Sequence, residues 1–318
     1  MSNLGIVIPC HNEEEVLSET THRLDTLLKD LANKGKISKQ SKVYFIDDGS
    51  RDDTWKLITK LAEQFDFVEG MRLSRNRGHQ SALLAGLLNA QGDCLISVDA
   101  DLQDDLNAIE EMIDAFQSGS DIVYGVRRKR TTDSFFKRIS AEWYYRTLAM
   151  MGVEIVFNHA DYRLMSRRAI EALKGYSEVN LFLRGIIPQL GFRSSVVYYD
   201  RADRFAGESK YPLKKMLSLA IQGITSFSIY PLRVITVLGL LISGFSFAFG
   251  LWALWIRFAT AEAIPGWTST VLPVYLLGGI QLLSLGVIGE YLGKIYLETK
   301  NRPRFFISES TIKLDSNE

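Results

Sequence analysis

The sequence predicts an α/β domain with a mostly parallel sheet, followed by an amphipathic helix and two transmembrane helices. Three observations carry this expectation. Before Pro212, short apolar runs alternate with stretches of helical spacing. Three of those runs end in clusters of carboxylates and amides, the place where open parallel sheets bind ligands. Near the other end, residues 234–256 and 267–289 contain no Asp, Glu, Lys or Arg.

The first strand is residues 4–8, which exits into Pro9-Cys10-His11-Asn12-Glu13, with a helix following over 13–31. A second strand over 43–46 exits into Asp47-Asp48-Gly49-Ser50 and leads to a helix over 53–64. Residues 67–71 form the third strand and 80–89 the next helix. The strand 94–98 exits into Asp99-Ala100-Asp101, and is followed by a helix over 106–116 and a strand over 122–124. Alternation of this kind implies a sheet covered by helices on both faces. No internal repeat or low-complexity segment interrupts it.

Composition removes some functions. The 318 residues carry 37 basic and 37 acidic side chains, so net charge offers no argument for nucleic-acid binding. Cys10 and Cys94 end apolar runs and read as buried thiols. The run 4–8 is too short, and lacks the preceding basic residues, for a signal peptide.

The charge-free runs are each about 23 residues long, enough at ~1.5 Å per residue to cross a ~30 Å hydrocarbon core. Lys214, Lys215 and Arg233 precede them, and Lys294, Lys300, Arg302 and Arg304 follow or close the second. The loop between them has only Arg257 and Glu262, so both ends are expected in the cytoplasm. Trp252, Trp255 and Trp267 cluster about that loop as an aromatic belt would. Leu213, Met216, Leu217, Ala220, Ile221 and Ile224 have helical spacing, on a helix that lies in the membrane interface or packs on the soluble domain. The expected division is a catalytic domain over 1–211, an amphipathic helix over 212–230, two spans within 231–297 and a cytoplasmic tail over 298–318. Gly239 with Ser243, Ser246 with Gly250, and Gly289 with Gly293 are small residues four apart, which predicts a small homo-oligomer held through the spans.

The exit VDADLQDD, residues 98–105, concentrates carboxylates. Side chains alternate faces along an extended chain, so Asp99, Asp101 and Gln103 can share one face. Oxygen ligands so placed suit a hard divalent cation. Farther on, Arg127, Arg128, Lys129, Arg130, Lys137 and Arg138 crowd into twelve positions. Such a loop is either a solvated charged surface or, beside a membrane, a grip for a lipid phosphate.

Seven segments together carry a resemblance: IVIPCHNEE (6–14), FIDDGSRDDT (45–54), LSRNRGHQSALLAG (73–86), VDADLQDD, DYRLMSR (161–167), RFAGESKY (204–211) and GGIQLLSLGVIGEYLGKIY (278–296). They resemble the GT-A glycosyltransferases of family 2, in particular the polyprenyl-phosphate glycosyltransferases, which include bactoprenol glucosyltransferases and dolichol-phosphate mannose synthase. The resemblance implies inverting transfer of one sugar, most simply glucose from UDP-glucose, to a polyprenyl phosphate at the cytoplasmic face of a bacterial plasma membrane. It assigns Asp99, Asp101 and Gln103 to Mg2+ or Mn2+, and Pro9, Glu13 and Asp48 to the nucleoside. It puts Arg127 and Arg138 on the acceptor phosphate, and Arg204, Ser209 and Lys210 over the donor diphosphate. Asp161 falls near the reaction centre in an orienting role. His11 stands where relatives often have an aromatic residue, and Asn158-His159-Ala160 departs from the commoner Thr-Gly or Ala-Gly.

The chemistry is consistent with that assignment. A cation bridging two phosphates makes the diphosphate a good leaving group. An acceptor phosphate with a second pKa near ~6 is already largely a dianion at neutral pH, so no general base is required. A processive polysaccharide synthase would carry Gln-x-x-Arg-Trp and more spans, and this sequence has neither. A non-catalytic membrane-anchored sensor or scaffold would have no use for Asp-x-Asp, Arg127 and Arg204.

Overall fold

The computed structural model describes residues 1–101, 103–128, 159–178, 182–200, 230–259 and 267–312. The chain forms two compact units. One comprises Met1–Ala149, Glu154–Tyr211 and Asn301–Glu318, and the other Met150–Val153 and Pro212–Lys300.

The first unit is built on an eight-stranded sheet. Its strands are β1 (Leu4–Cys10), β2 (Lys42–Asp47), β3 (Val68–Leu73), β4 (Cys94–Ser97), β5 (Ile122–Arg127), β6 (His159–Ser166), β7 (Ser194–Tyr199) and β8 (Ile307–Ser310), in the order β7-β5-β6-β4-β1-β2-β3-β8. β1 is central and runs parallel to β2 and β4, while β6 and β8 pair antiparallel with their neighbours. Among the described residues, this unit also has the helices α1 (Leu17–Asn33), α2 (Thr54–Gln64), α3 (His79–Asn89), α4 (Ala108–Gln117), α5 (Arg167–Lys174) and α6 (Leu183–Gln189).

Every residue of β1 is buried, as a strand covered on both faces requires. Leu4, Ile6 and Ile8 join Leu24, Leu28 and Leu31 of α1 in one core cluster. The alternate residue Val7 faces α3. There a Cβ on Gly86 would come within 2.3 Å of Val7 Cγ1, so only glycine lets α3 approach this closely. Both cysteines are free and buried, and burial pushes the Cys94 thiol up to about 12.

Three expectations change. α1 begins at Leu17, because Glu13 O accepts the N–H groups of Val16 and Leu17 in a preceding turn. The sheet gains β6 and β7 beyond the five strands read from the sequence. The expected tail, 298–318, contributes a strand: β8 adds antiparallel to β3, and Glu309 accepts from Arg72 Nη1 at 2.8 Å and from Trp55 Nε1 at 2.9 Å.

The second unit contains α7 (Tyr230–Ala259) and α8 (Trp267–Thr299), of 30 and 33 residues. Large apolar side chains, among them Leu240, Phe245, Leu282 and Leu283, are exposed on them. Among the described residues no helix is long and apolar enough to cross a membrane, and several side chains inside both helices lie outside that description. Of the expected amphipathic helix, 212–230, residues 212–229 lie outside the described residues, and Tyr230 opens α7.

Candidate active site

The chain passes from β1 to β2 and β3 on one side, then crosses to β4 on the other. This reversal opens a crevice beyond the carboxyl ends of β1 and β4. All three polar exits read from the sequence converge there.

The β1 and β2 exits are knitted together. Asp48 N–H donates to Cys10 O at 2.8 Å, and Asn12, left-handed at φ 56°, donates its N–H to Ser50 Oγ at 3.0 Å. Glu13 N–H donates to Thr54 Oγ1 at 2.9 Å. Pro9 is buried in β1, Glu13 is half-buried and His11 is exposed, with Nδ1 3.1 Å from Asp48 O. Asp48 itself is buried, and its two oxygens accept Arg77 N–H at 2.7 Å and Gly78 N–H at 2.8 Å. Burial raises its pKa, although these two donors oppose the shift. Asp48 therefore fastens the β3–α3 loop across the β2 exit. Gly49 makes that closure possible: at φ 63°, a Cβ would lie 2.6 Å from Arg75 C and Asn76 N.

At the β4 exit, Asp101 Oδ1 accepts Gln103 N–H at 3.2 Å, and Gln103 is buried. Asp99 keeps 37% of its side chain exposed. Burial pushes its carboxyl up to about 6; His79 opposes this, and the carboxylates of Asp104, Asp161 and Asp101 add to it. Two carboxylates and an amide oxygen suit a cation that completes its shell with substrate phosphates. Among the described residues no three His, Cys, Asp or Glu side chains form a metal-holding group by themselves.

β6 runs antiparallel to β4, so its first residues reach the same end of the sheet. Asp161 there accepts hydrogen bonds from Arg163 and, through both its oxygens, from Arg184. Burial alone would raise its pKa, but Arg184 and Arg163 hold it well below the usual carboxylate range. His79 Nε2 bridges the two acidic positions, 3.6 Å from Asp99 Oδ1 and 3.7 Å from Asp161 Oδ2. Gln80 Oε1 accepts Leu183 N–H at 2.9 Å and ties the starts of α3 and α6 together. Arg127, at the β5 exit, meets Asp104 and Tyr199.

The site thus gathers Pro9, Glu13, Asp48, Asp99, Asp101, Gln103, Arg127 and Asp161 at one end of the sheet. Arg138, Arg204, Ser209 and Lys210 lie outside the described residues, as do Lys129, Arg130, Lys137 and the side chain of His159. His79, Asp104, Arg184 and Tyr199 are additional. His79 follows the β3 exit, so the strand-end rule that exposed the other three exits points to it as well. The others depend on β6, β7 and α6, which the apolar pattern did not reveal.

The chain is similar to several known proteins. The chain is 49% identical over 306 residues to a Bacillus subtilis (strain 168) protein named uncharacterized glycosyltransferase YkoT, covering 96% of this chain and 90% of that one. It is 39% identical over 311 residues to the SfII prophage-derived bactoprenol glucosyl transferase of Shigella flexneri, covering 96% and 98%. Among solved structures it resembles glucosyl-3-phosphoglycerate synthase from Mycobacterium tuberculosis, at 18% identity and a TM-score of 0.45, over 70% of this chain and 76% of that one. The model of glycosyl transferase family 2 matches residues 5–174, and the chain, a glycosyltransferase of the GT-A α/β fold, belongs to that family.

Proposed function

We propose that this glycosyltransferase moves one sugar, glucose from UDP-glucose, onto a polyprenyl phosphate with inversion at the anomeric carbon. The observation that carries the reading is the near full-length similarity to a protein named bactoprenol glucosyl transferase. Its catalytic unit lies at the cytoplasmic face of a bacterial plasma membrane.

An acceptor phosphate oxygen attacks the anomeric carbon, and the bond to the diphosphate breaks with its electron pair leaving on the nucleotide. Asp99 and Asp101, with Gln103, would hold a Mg2+ or Mn2+ ion, which neutralises charge on the leaving group when bound. Pro9 and Glu13 flank the nucleoside, and Asp48 shapes that side by holding the β3–α3 loop. Arg127, joined by Arg138, takes the acceptor phosphate through the paired donors of a guanidinium. Arg204, Ser209 and Lys210 close over the diphosphate. Asp161 orients Arg184 and accepts no proton, since a general base needs a pKa near the working pH.

α7 and α8 cross the membrane as a pair. The charge-free runs within them, residues 234–256 and 267–289, and their exposed leucines and phenylalanines support this. Gly239, Gly289 and Gly293 have open space where a Cβ would stand, which leaves them available for helix contacts between copies in a small homo-oligomer.

The test is to incubate the purified chain with undecaprenyl phosphate and a panel of labelled nucleotide sugars. Glucose transfer from UDP-glucose is expected. Transfer only from another nucleotide sugar would replace the donor, and absence of any lipid-linked sugar would overturn the reading.

A further inference from the structure

Asp104 directly follows the oxygen-rich segment that runs from Asp99 to Gln103, yet only 3% of it is exposed. Tyr199 Oη donates to its Oδ1 at 2.6 Å. Arg127 Nε donates to the same hydroxyl at 3.2 Å, and Arg127 Nη2 stands 3.5 Å from Oδ1. The three side chains close a triangle between the β4–α4 loop, β7 and β5.

Further contacts fix each corner. The Tyr199 ring is buried edge-on against Tyr162, with centroids 5.1 Å apart at 89°. Tyr162 Oη donates to Asp105 O at 2.9 Å, and Arg128 N–H donates to Tyr199 O at 2.9 Å. Burying a carboxylate and a phenol is unfavourable unless both are hydrogen-bonded, and apolar residues would fill the same space without that penalty. Hydrogen bonding to Arg127 is what the polar pair adds.

We propose that Asp104 and Tyr199 are positioning residues, which hold the Arg127 guanidinium at the β5 exit, in place for the acceptor phosphate. The inference rests on the reading of Arg127 given above. An unrestrained arginine loses rotamer freedom when it grips a ligand, and prior restraint removes that penalty. Asp104 is next to Gln103, so the loop that serves the donor side also sets the acceptor side.

The test is steady-state kinetics in detergent micelles, with UDP-glucose and undecaprenyl phosphate varied in turn. Tyr199→Phe keeps the ring that packs on Tyr162 and removes only the hydroxyl. It is expected to raise the KM for undecaprenyl phosphate by about tenfold, the worth of one charge-assisted hydrogen bond, and to leave the KM for UDP-glucose unchanged. Asp104→Asn should act in the same direction. Arg127→Ala should raise the acceptor KM further, and adding Tyr199→Phe to it should change nothing more, because Tyr199 acts through Arg127. If Arg127→Ala raises the acceptor KM while Tyr199→Phe does not, or if the two effects add, the positioning role is wrong. If Arg127→Ala itself leaves the acceptor KM at the wild-type value, the acceptor role of Arg127 fails, and the positioning role falls with it.

Discussion

Arg184 meets Asp161 side-on, with Nε 3.3 Å from Oδ1 and Nη2 3.2 Å from Oδ2. Arg163, fully buried, donates to the same carboxylate. Two guanidinium groups on one carboxylate leave it strongly acidic, whatever its nearness to the reacting atoms. Asp161→Asn is expected to destabilise the protein by about 3 kcal/mol, because Arg163 stays buried after losing a charge partner. Denaturant unfolding in detergent measures this, and a midpoint equal to the wild type would show that the pair contributes nothing.

The same pair sets a pH dependence. The folded-state pKa of Asp161 lies below its unfolded value of about 3.9, so its stabilisation is fully present above that pH and is lost as the pH falls further. Between pH 7 and pH 3 the wild type should therefore lose more stability than Asp161→Asn. Parallel curves for the two proteins would contradict the shift.

Asp99→Asn and Asp101→Asn should each lower kcat by at least about 10²-fold, since charge on the leaving diphosphate is then poorly compensated. A thermal shift on adding Mn2+ should appear in the wild type and vanish in both variants. Because the Asp99 carboxyl is pushed up to about 6 without a cation, the wild-type shift should weaken as the pH drops from 7 through 6. Full turnover by both variants in the presence of a chelator would remove the carboxylates from the mechanism.

Gly49→Ala should raise the KM for the nucleotide sugar and leave that for the lipid phosphate near its original value. The new methyl group would stand 2.6 Å from the backbone of Arg75 and Asn76, in a left-handed conformation, and would push away the loop that Asp48 holds. A stability loss of about 1–3 kcal/mol should accompany it. Substrate kinetics and thermal unfolding together check both parts, and unchanged donor kinetics would show that the loop does not shape the nucleotide side.

Crosslinking and mass measurement in mild detergent should find a small oligomer. Replacing Gly289 and Gly293 by isoleucine should shift it towards monomer, since bulky side chains keep helices apart. A monomeric, fully active wild-type particle would exclude assembly through these helices.

The parallel centre of the sheet was legible because β1, β2 and β4 are continuous apolar runs, a pattern that burial on both faces imposes. β7 was not, since Ser194–Tyr199 is an edge strand with only Val197 and Tyr199 buried, and β8 is exposed throughout. Such strands are made by pairing, and a local pattern does not report a partner across the sheet. The site divides along the same line. Asp99, Asp101 and Asp48 stand at strand ends, where charge clustering is visible in sequence. Asp104 sits among them, but its burial and its bond to Tyr199 depend on a residue 95 positions away. Asp48, expected at the nucleoside, accepts one backbone N–H on each oxygen, a bond to the β3–α3 loop that the sequence does not show, and each oxygen keeps a second lone pair for another donor.

β8 has one more consequence, for how the protein is made. The outer edge of β3 would otherwise display a row of open backbone donors and acceptors, the kind of template on which other chains add strands and aggregate. Its cover is translated only after α7 and α8, so during synthesis the sheet stays exposed on that side until both long helices exist. A chain cut after α8 would keep every residue of the crevice and still carry a permanently sticky margin. Shortening this protein from its carboxyl end should fail first through precipitation, before any loss of chemistry.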